Sequence, residues 1–555
     1  QALLESLEER ILVLDGATGT ALQAFELGPK DFGGEELEGC NEILCATRPD
    51  VVRGISERSL AAGADVVETN SFGSTPLVLA EYGRDGRARE LSRRAAELAR
   101  EACARFDEPG RLRFVAGAMG PTTRAISVTG GVAFEQLIET FRVQALGLAE
   151  GGADYLLVET CQDTRNVKAA LLGVEAAFAE LGWRLPVAVS VTIEPTGTML
   201  GGQDAEALAV SLLHADLLYV GLNCATGPGL MADHLRTLSE LCRTRVACVP
   251  NAGLPDEDGR YLEGPEEFVE VFTRYLDAGW LNLVGGCCGT TAAHVSALAG
   301  LAAGRRPRPV PHHQRAFVSG IEAVELVPEN RPLLVGERTN VLGSRLFKQR
   351  VAAGDFEGAA EIGRAQVRSG AQVVDVCLQD PERDELRDME AFLDRLVRVV
   401  KAPLMIDSTD PAVLERALTW CQGKAVLNSI NLEDGLDRFE KVVPLGRRYG
   451  AAFVVGLIDE QGMAVSLERK LEVARRSYRI LVEEMGVAPE DLWFDPLVFP
   501  CGTGDETYLG SAAATIEGVR AIQGELPFAR TILGVSNVSF GLPAAGREVL
   551  NSVFL

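Results

Sequence analysis

The strongest constraint on the fold is a repeat of segment type. Short apolar runs recur at 11–15, 65–68, 114–118, 155–159, 187–193, 217–224, 246–251 and 281–284. Each is apolar or β-branched nearly throughout, as strands buried on both faces must be. Segments of helical period, such as 91–105 and 134–149, lie between them. Eight strand–helix units within residues 1–303 predict a (β/α)8 barrel. No single glycine-rich dinucleotide fingerprint interrupts this pattern.

Residues 304–315 break the rhythm with three prolines and a basic cluster. They predict a linker over 304–331. His312 and His313 fall inside it and read as solvated, since no partner residues are near in sequence. The pattern then restarts over 332–555, with strand-like runs at 333–336, 373–377, 404–407, 425–428, 453–458, 492–495 and 532–536. The fold class is therefore α/β, two (β/α)8 TIM barrels in tandem. Seven runs leave the second barrel one short, and an unclosed parallel edge is unfavourable. The expectation is that this barrel is truncated and the polypeptide continues past Leu555.

Composition excludes several classes of function. A net charge of -25 argues against a nucleic-acid partner or an anionic membrane surface. No apolar run is long enough to predict a transmembrane helix. Residues 1–10 read as an acidic amphipathic helix and not a signal peptide. Twelve cysteines without regular close spacing point to a reducing cytoplasm, not a disulfide framework. The five histidines all precede residue 314. Chemistry in the second barrel must then rest on carboxylates, amides, backbone or a borrowed cofactor.

Active sites of such barrels lie at the carboxyl ends of the strands. In the first barrel those ends carry Asp15, Glu68-Thr69-Asn70, Glu159-Thr160, Cys224, Asn251 and the pair Cys287-Cys288. Two readings of the cysteines stand side by side. Cysteine often packs as a small hydrophobe. Three thiols on neighbouring strand ends, one pair bounded by glycines, also make a zinc site with an open position. Acids, thiols and small turn residues on one rim suit a zwitterion bearing a thiol. A free thiol is only about 3% thiolate at pH 7, and metal coordination deprotonates it.

Four motifs then define a resemblance: Asp15-Gly16-Ala17-Thr18-Gly19-Thr20, Glu68-Thr69-Asn70-Ser71-Phe72-Gly73, Gly221-Leu222-Asn223-Cys224 and Gly285-Gly286-Cys287-Cys288-Gly289. Together they resemble the homocysteine-binding zinc barrel of homocysteine methyltransferases. The resemblance implies Zn2+ on Cys224, Cys287 and Cys288, with homocysteine sulfur in the open position. It implies Asn251 as a ligand when substrate is absent. Asp15 and Glu159 match the acids that hold the substrate amino group, and Ala17, Thr18 and Gly19 fall in the same substrate-binding motif.

The second rim carries Glu337, Asp375, Asp407, Asn428, Asp459, Asp495 and Asn537. Such a set suits a flat heterocycle with a donor-rich edge, such as a pterin, and equally an oxygen-ligated Mg2+ or Ca2+. The motifs Gly336-Glu337-Arg338-Thr339-Asn340, Met405-Ile406-Asp407-Ser408, Leu427-Asn428-Ser429-Ile430 and Gly534-Val535-Ser536-Asn537 resemble the pterin-binding methyltransferase barrel. By that resemblance Asp407, Asn428 and Asp495 hold the ring, Glu337 and Asp375 line the pocket, and Asn537 is catalytic near N5.

The order of the two barrels resembles the amino-terminal half of the cobalamin-dependent methionine synthase family. It implies a methyl group passing from 5-methyltetrahydrofolate to cob(I)alamin, and from methylcobalamin to homocysteine. The cobalamin-binding and reactivation modules would lie outside this chain. Two other readings are a cobalamin-independent homocysteine S-methyltransferase fused to a pterin-binding domain, and a scaffold whose zinc is structural. A lysine-poor second rim speaks against a pterin enzyme with a pyrophosphate leaving group. A structural zinc would need a fourth protein ligand.

Overall fold

The computed structural model describes residues 1–555. The chain divides into two compact units, Gln1–Ala209 with Ala215–His312, and His313–Leu555 with Val210–His214. Each is a parallel α/β barrel sheet wrapped by helices.

In the first unit the strands are β1 (Leu12–Val13), β2 (Val66–Glu68), β3 (Phe114–Met119), β4 (Tyr155–Cys161), β5 (Val187–Val191), β6 (Tyr219–Asn223), β7 (Arg245–Val249) and β8 (Leu283–Val284). All neighbours are parallel, β1 pairs β8, and a bridge between Leu14 and Val66 joins the loop after β1 to β2. Every apolar run read from the sequence supplies one of these strands. Side chains alternate along a strand, so one parity fills the interior. Leu12, Val66, Ala116, Tyr155, Leu157, Ala188, Tyr219, Ala247 and Leu283 form that interior layer. The amphipathic helix Ala2–Glu9 adds Leu3 and Leu7 to the same core.

The second unit opens with a hairpin, β9 (Phe317–Ser319) against β10 (Ala323–Glu325). Seven parallel strands follow in spatial order: β11 (Val335–Gly336), β12 (Val373–Val376), β13 (Leu404–Asp407), β14 (Val426–Leu432), β15 (Ala452–Asp459), β17 (Leu492–Asp495) and β18 (Arg530–Thr531). A short β16 (Gly462–Met463) folds back antiparallel on β15. Their interior layer is Val373, Met405, Val426, Ala452, Val454 and Trp493, with Val318 of the hairpin among them.

Two expectations are corrected here. The stretch read as linker is partly structural. Phe317 and Val318 are buried, and the Ser319 N–H donates to Lys424 O at 3.0 Å. The Ile321 N–H donates to Lys401 O at 2.9 Å. Lys401 and Lys424 precede β13 and β14, so the hairpin covers the amino-terminal end of this sheet. Its apolar alternation is only three residues long on each side, too short to stand out beside the proline run. The run at 532–536 is likewise not a strand. Pairing stops at Thr531, and Val535–Ser539 winds into a 3₁₀ turn carrying Asn537. No helix is long and apolar enough to cross a membrane.

Candidate active site

Strand parity sets the first rim. Two residues beyond the core positions Val66, Leu157 and Tyr219 (twice over) come Glu68, Glu159 and Asn223, which therefore also face inward. Glu159 is 6% and Asp15 3% exposed. Asp15 accepts the Glu68 N–H on both carboxylate oxygens, 3.2 Å each. Burial, followed by the Glu68 charge, pushes the Asp15 carboxyl well above the carboxylate range. Burial also lifts Glu68 to about 7. Glu159 is raised by burial and then by Glu68, Asp15 and Cys288. Glu68 raises both Asp15 and Glu159, and three carboxyls crowded in this way form a nest suited to a cation. Asn223 fastens it, because Oδ1 accepts the Thr160 N–H at 3.1 Å and the Ser190 hydroxyl at 2.6 Å.

Ala17 precedes the short helix Thr18–Gln23. The first amides of a helix have no intrahelical acceptor, so this turn offers N–H groups to an anion. The helix is tied to the thiol loop by the Gly289 N–H, which donates to Thr20 Oγ1 at 3.1 Å.

The sulfurs of Cys224, Cys287 and Cys288 lie within 4.8 Å of one another, and Cys224 Sγ is 3.7 Å from Cys288 Sγ. No fourth His, Cys, Asp or Glu joins the group. The local backbone is built for it. Cys224 has φ +59, in a left-handed conformation that costs a non-glycine residue about 1 kcal/mol or more. The Cys287 N–H donates to Pro250 O at 2.7 Å, and the Cys288 N–H to Asn251 Oδ1 at 3.1 Å. Asn251 thus stands beside the thiols and orients Cys288. Hydrogen bonds from Cys224, then Cys287, pull Cys288 down to about 3, and Tyr261 adds a further one. The contact with Cys224 pushes Cys287 up. Tyr261 packs on Gly289, where φ is +79 and a Cβ would sit 2.2 Å from Tyr261 Cβ.

Strand parity sets the second rim as well. Two residues beyond Val335, Val373, Met405, Val426 and Trp493 come Glu337, Asp375, Asp407, Asn428 and Asp495. All five therefore occupy one layer above the core. Asp375 is 2% exposed. Its Oδ2 accepts Asn340 Nδ2 at 3.2 Å, and its buried Oδ1 has no hydrogen-bond partner. Burial, then the Asp407 charge, pushes Asp375 up to about 8. Burial lifts Asp407 to about 6 and Asp495 to about 6. Glu337 is exposed just after β11, and Asn537 is exposed on the 3₁₀ turn that follows β18. Asp459 does not join them, because both its oxygens are taken by Arg469 at 2.6 and 2.7 Å. Glu68, Asn223, Tyr261 and Asn340 were not assigned a role from the sequence. Three of them stand in the quoted motifs, but Tyr261 lies in an irregular loop with no pattern to mark it.

A barrel whose rim joins three thiols to an acid nest belongs, by comparison, to a known class. Residues 12–302 match the homocysteine S-methyltransferase family, and the chain is a member of it. Residues 336–555 match the pterin binding enzyme family. The methionine synthase of Mycobacterium tuberculosis is 41% identical over 562 residues, covering 100% of this chain and 47% of that protein. That of Mycobacterium leprae is 41% identical over 567 residues with the same coverage. The chain thus spans about half the length of these relatives. Among solved structures, the metallated form of the homocysteine methyltransferase MmuM from Escherichia coli is 23% identical. It covers 54% of this chain and 98% of its own, with a TM-score of 0.44.

Proposed function

We propose that the chain carries the two substrate half-sites of a methionine-forming methyl transfer, with 5-methyltetrahydrofolate as donor at the second barrel and homocysteine as acceptor at the first. The observation that carries this reading is the three-sulfur cluster beside the carboxyl nest. A tetrahedral zinc with Zn–S bonds of about 2.3 Å sets sulfurs about 3.8 Å apart. The 3.7 Å spacing of Cys224 and Cys288 fits it. Zinc there would supply the Lewis acidity that keeps the substrate sulfur a thiolate at neutral pH. Three protein sulfurs leave one position for that sulfur, which disfavours a closed structural site.

The chain's own residues do the rest. Asp15, Glu68 and Glu159 receive the substrate ammonium. The amides of Ala17, Thr18 and Gly19 receive its carboxylate. Tyr261 and Asn251 hold Cys288 in place. At the second barrel, Asp407, Asn428 and Asp495 anchor the pterin edge, Glu337 and Asp375 line the pocket, and Asn537 stands at the rim to stabilise a protonated N5. Asn251 serves as a metal ligand when homocysteine is absent. Cobalamin, held with its reactivation machinery by further modules of a longer cytoplasmic protein, would supply the methyl-carrying chemistry that links the two half-sites.

The test is metal content together with methionine formation from added methylcobalamin and homocysteine. One zinc per chain with methionine produced supports the reading. A zinc-free protein that forms no methionine overturns it.

A further inference from the structure

Lys470 lies on the helix Leu467–Tyr478 and has no exposed surface. Lysine goes fully inside only when its ammonium is satisfied. Nζ donates to three carbonyls, Ala464 at 2.8 Å, Pro496 at 2.5 Å and Leu497 at 3.4 Å. It also lies 5.0 Å from the centre of the Phe499 ring, within range of a cation–π contact. The stem runs past Gly518, where a Cβ would sit 3.3 Å from Lys470 Cδ.

Three of these contacts fall on the segment directly after Asp495. Leu497 is left-handed at φ +61, a conformation a leucine keeps only when its surroundings impose it. Its carbonyl also accepts the Thr515 hydroxyl at 2.8 Å, and its N–H donates to Asp495 Oδ1 at 2.9 Å. The contacts form one chain: ammonium, carbonyl, left-handed turn, amide, carboxylate.

We propose that Lys470 is a positioning residue of the second rim, whose buried ammonium locks the Pro496–Leu497 turn and thereby aims the Asp495 carboxylate at the pterin. The assignment rests on the pterin reading given above. Electrostatics act along the same path. Burial pulls Lys470 down to about 8, and the Asp495 charge opposes that fall. Burial lifts Asp495, while the Leu497 N–H and the Lys470 charge hold it down. Glu337 is the other charged group acting on Asp495, and it pushes the carboxyl up.

The experiment is calorimetric titration of 5-methyltetrahydrofolate into the full chain from pH 5 to 9. The proteins are the parent, Lys470→Met, Asp495→Asn and the double variant. Absence of binding by the parent overturns the pterin reading, and this assignment with it. With the parent binding, Lys470→Met should bind about 10-fold more weakly at pH 7, with its acid fall-off displaced to higher pH. The double variant should bind no more weakly than Asp495→Asn alone, because the lysine acts through that carboxylate. Losses that simply add, with an unmoved pH profile, would overturn the assignment. Should Lys470→Met fail to fold, the reciprocal effect is read in a folded protein. The chain has seven lysines, so the Lys470 ammonium can be followed by 15N-lysine NMR. Its midpoint should drop in Asp495→Asn, and an unchanged midpoint refutes the coupling.

Discussion

The main-chain N–H of Glu68 is shared between the two carboxylate oxygens of Asp15, at 3.2 Å to each. That amide fastens the end of β2 to the loop after β1. It helps Asp15 and does nothing for the Glu68 carboxyl, which burial leaves at about 7.

A stability prediction comes from that asymmetry. Glu68 titrates higher in the folded chain than its ordinary 4.5. Its contribution to stability is fully present below about pH 4.5 and lost as pH rises through about 7. Glu68→Gln, which stays neutral, should melt at a higher temperature than the parent at pH 8 and at nearly the same temperature at pH 4.5. A melting difference independent of pH would show that Glu68 is not held in this way.

The thiol cluster predicts a division of labour. Replacing Cys224, Cys287 or Cys288 by alanine should each abolish zinc binding, since two sulfurs cannot complete the site. Homocysteine methylation should be lost, while methyl transfer from folate to cobalamin continues. Mass spectrometry of the bound metal and separate half-reaction assays check this. Full zinc in Cys288→Ala would refute the assignment.

The two acids Asp375 and Asp407 should respond differently to amidation. Asp375, at about 8, is mostly protonated at pH 7. Asp375→Asn replaces one neutral group by another and should keep folate affinity within about threefold. Asp407, at about 6, is mostly charged at that pH. Asp407→Asn should cost about 10-fold or more, as loss of a charged hydrogen-bond acceptor does. Equal losses in a binding titration would contradict the difference in burial.

Asn537 sits exposed on its turn, and its amide can donate or accept as N5 changes protonation. Asn537→Ala should slow methyl transfer to cobalamin on the order of 10²-fold. Folate binding should weaken far less. Stopped-flow absorbance follows the step, and a parental rate in the variant would remove Asn537 from the chemistry.

The strands were legible because parallel strands buried on both faces leave a continuous apolar imprint, as at Val187–Val191. The thiol trio was legible because adjacent cysteines between glycines are rare outside a site. The turn at Asn537 was misread because Ile532-Leu533-Gly534-Val535 looks like a strand, while the pairing had already ended at Thr531. Tyr261 left no trace, since only the tertiary approach of Gly289 brings it to Cys288. Lys470 was invisible for a related reason: it stands among the charged residues Glu468, Arg469 and Glu472, and the carbonyls it holds lie 26 or more residues away apart from Ala464.

The hairpin beneath the second sheet changes how the chain can be dissected. A fragment started at residue 332 would discard Val318 and leave Val373, Met405 and Trp493 facing water at the floor of the sheet. A cut at 313 keeps that floor. Burying a valine is worth about 1.5 kcal/mol or more, so two fragments that differ only in these nineteen residues, 313–331, should differ in solubility as well as in stability. The useful severing point is set by what seals the bottom of the sheet, far from the rim where the chemistry is placed.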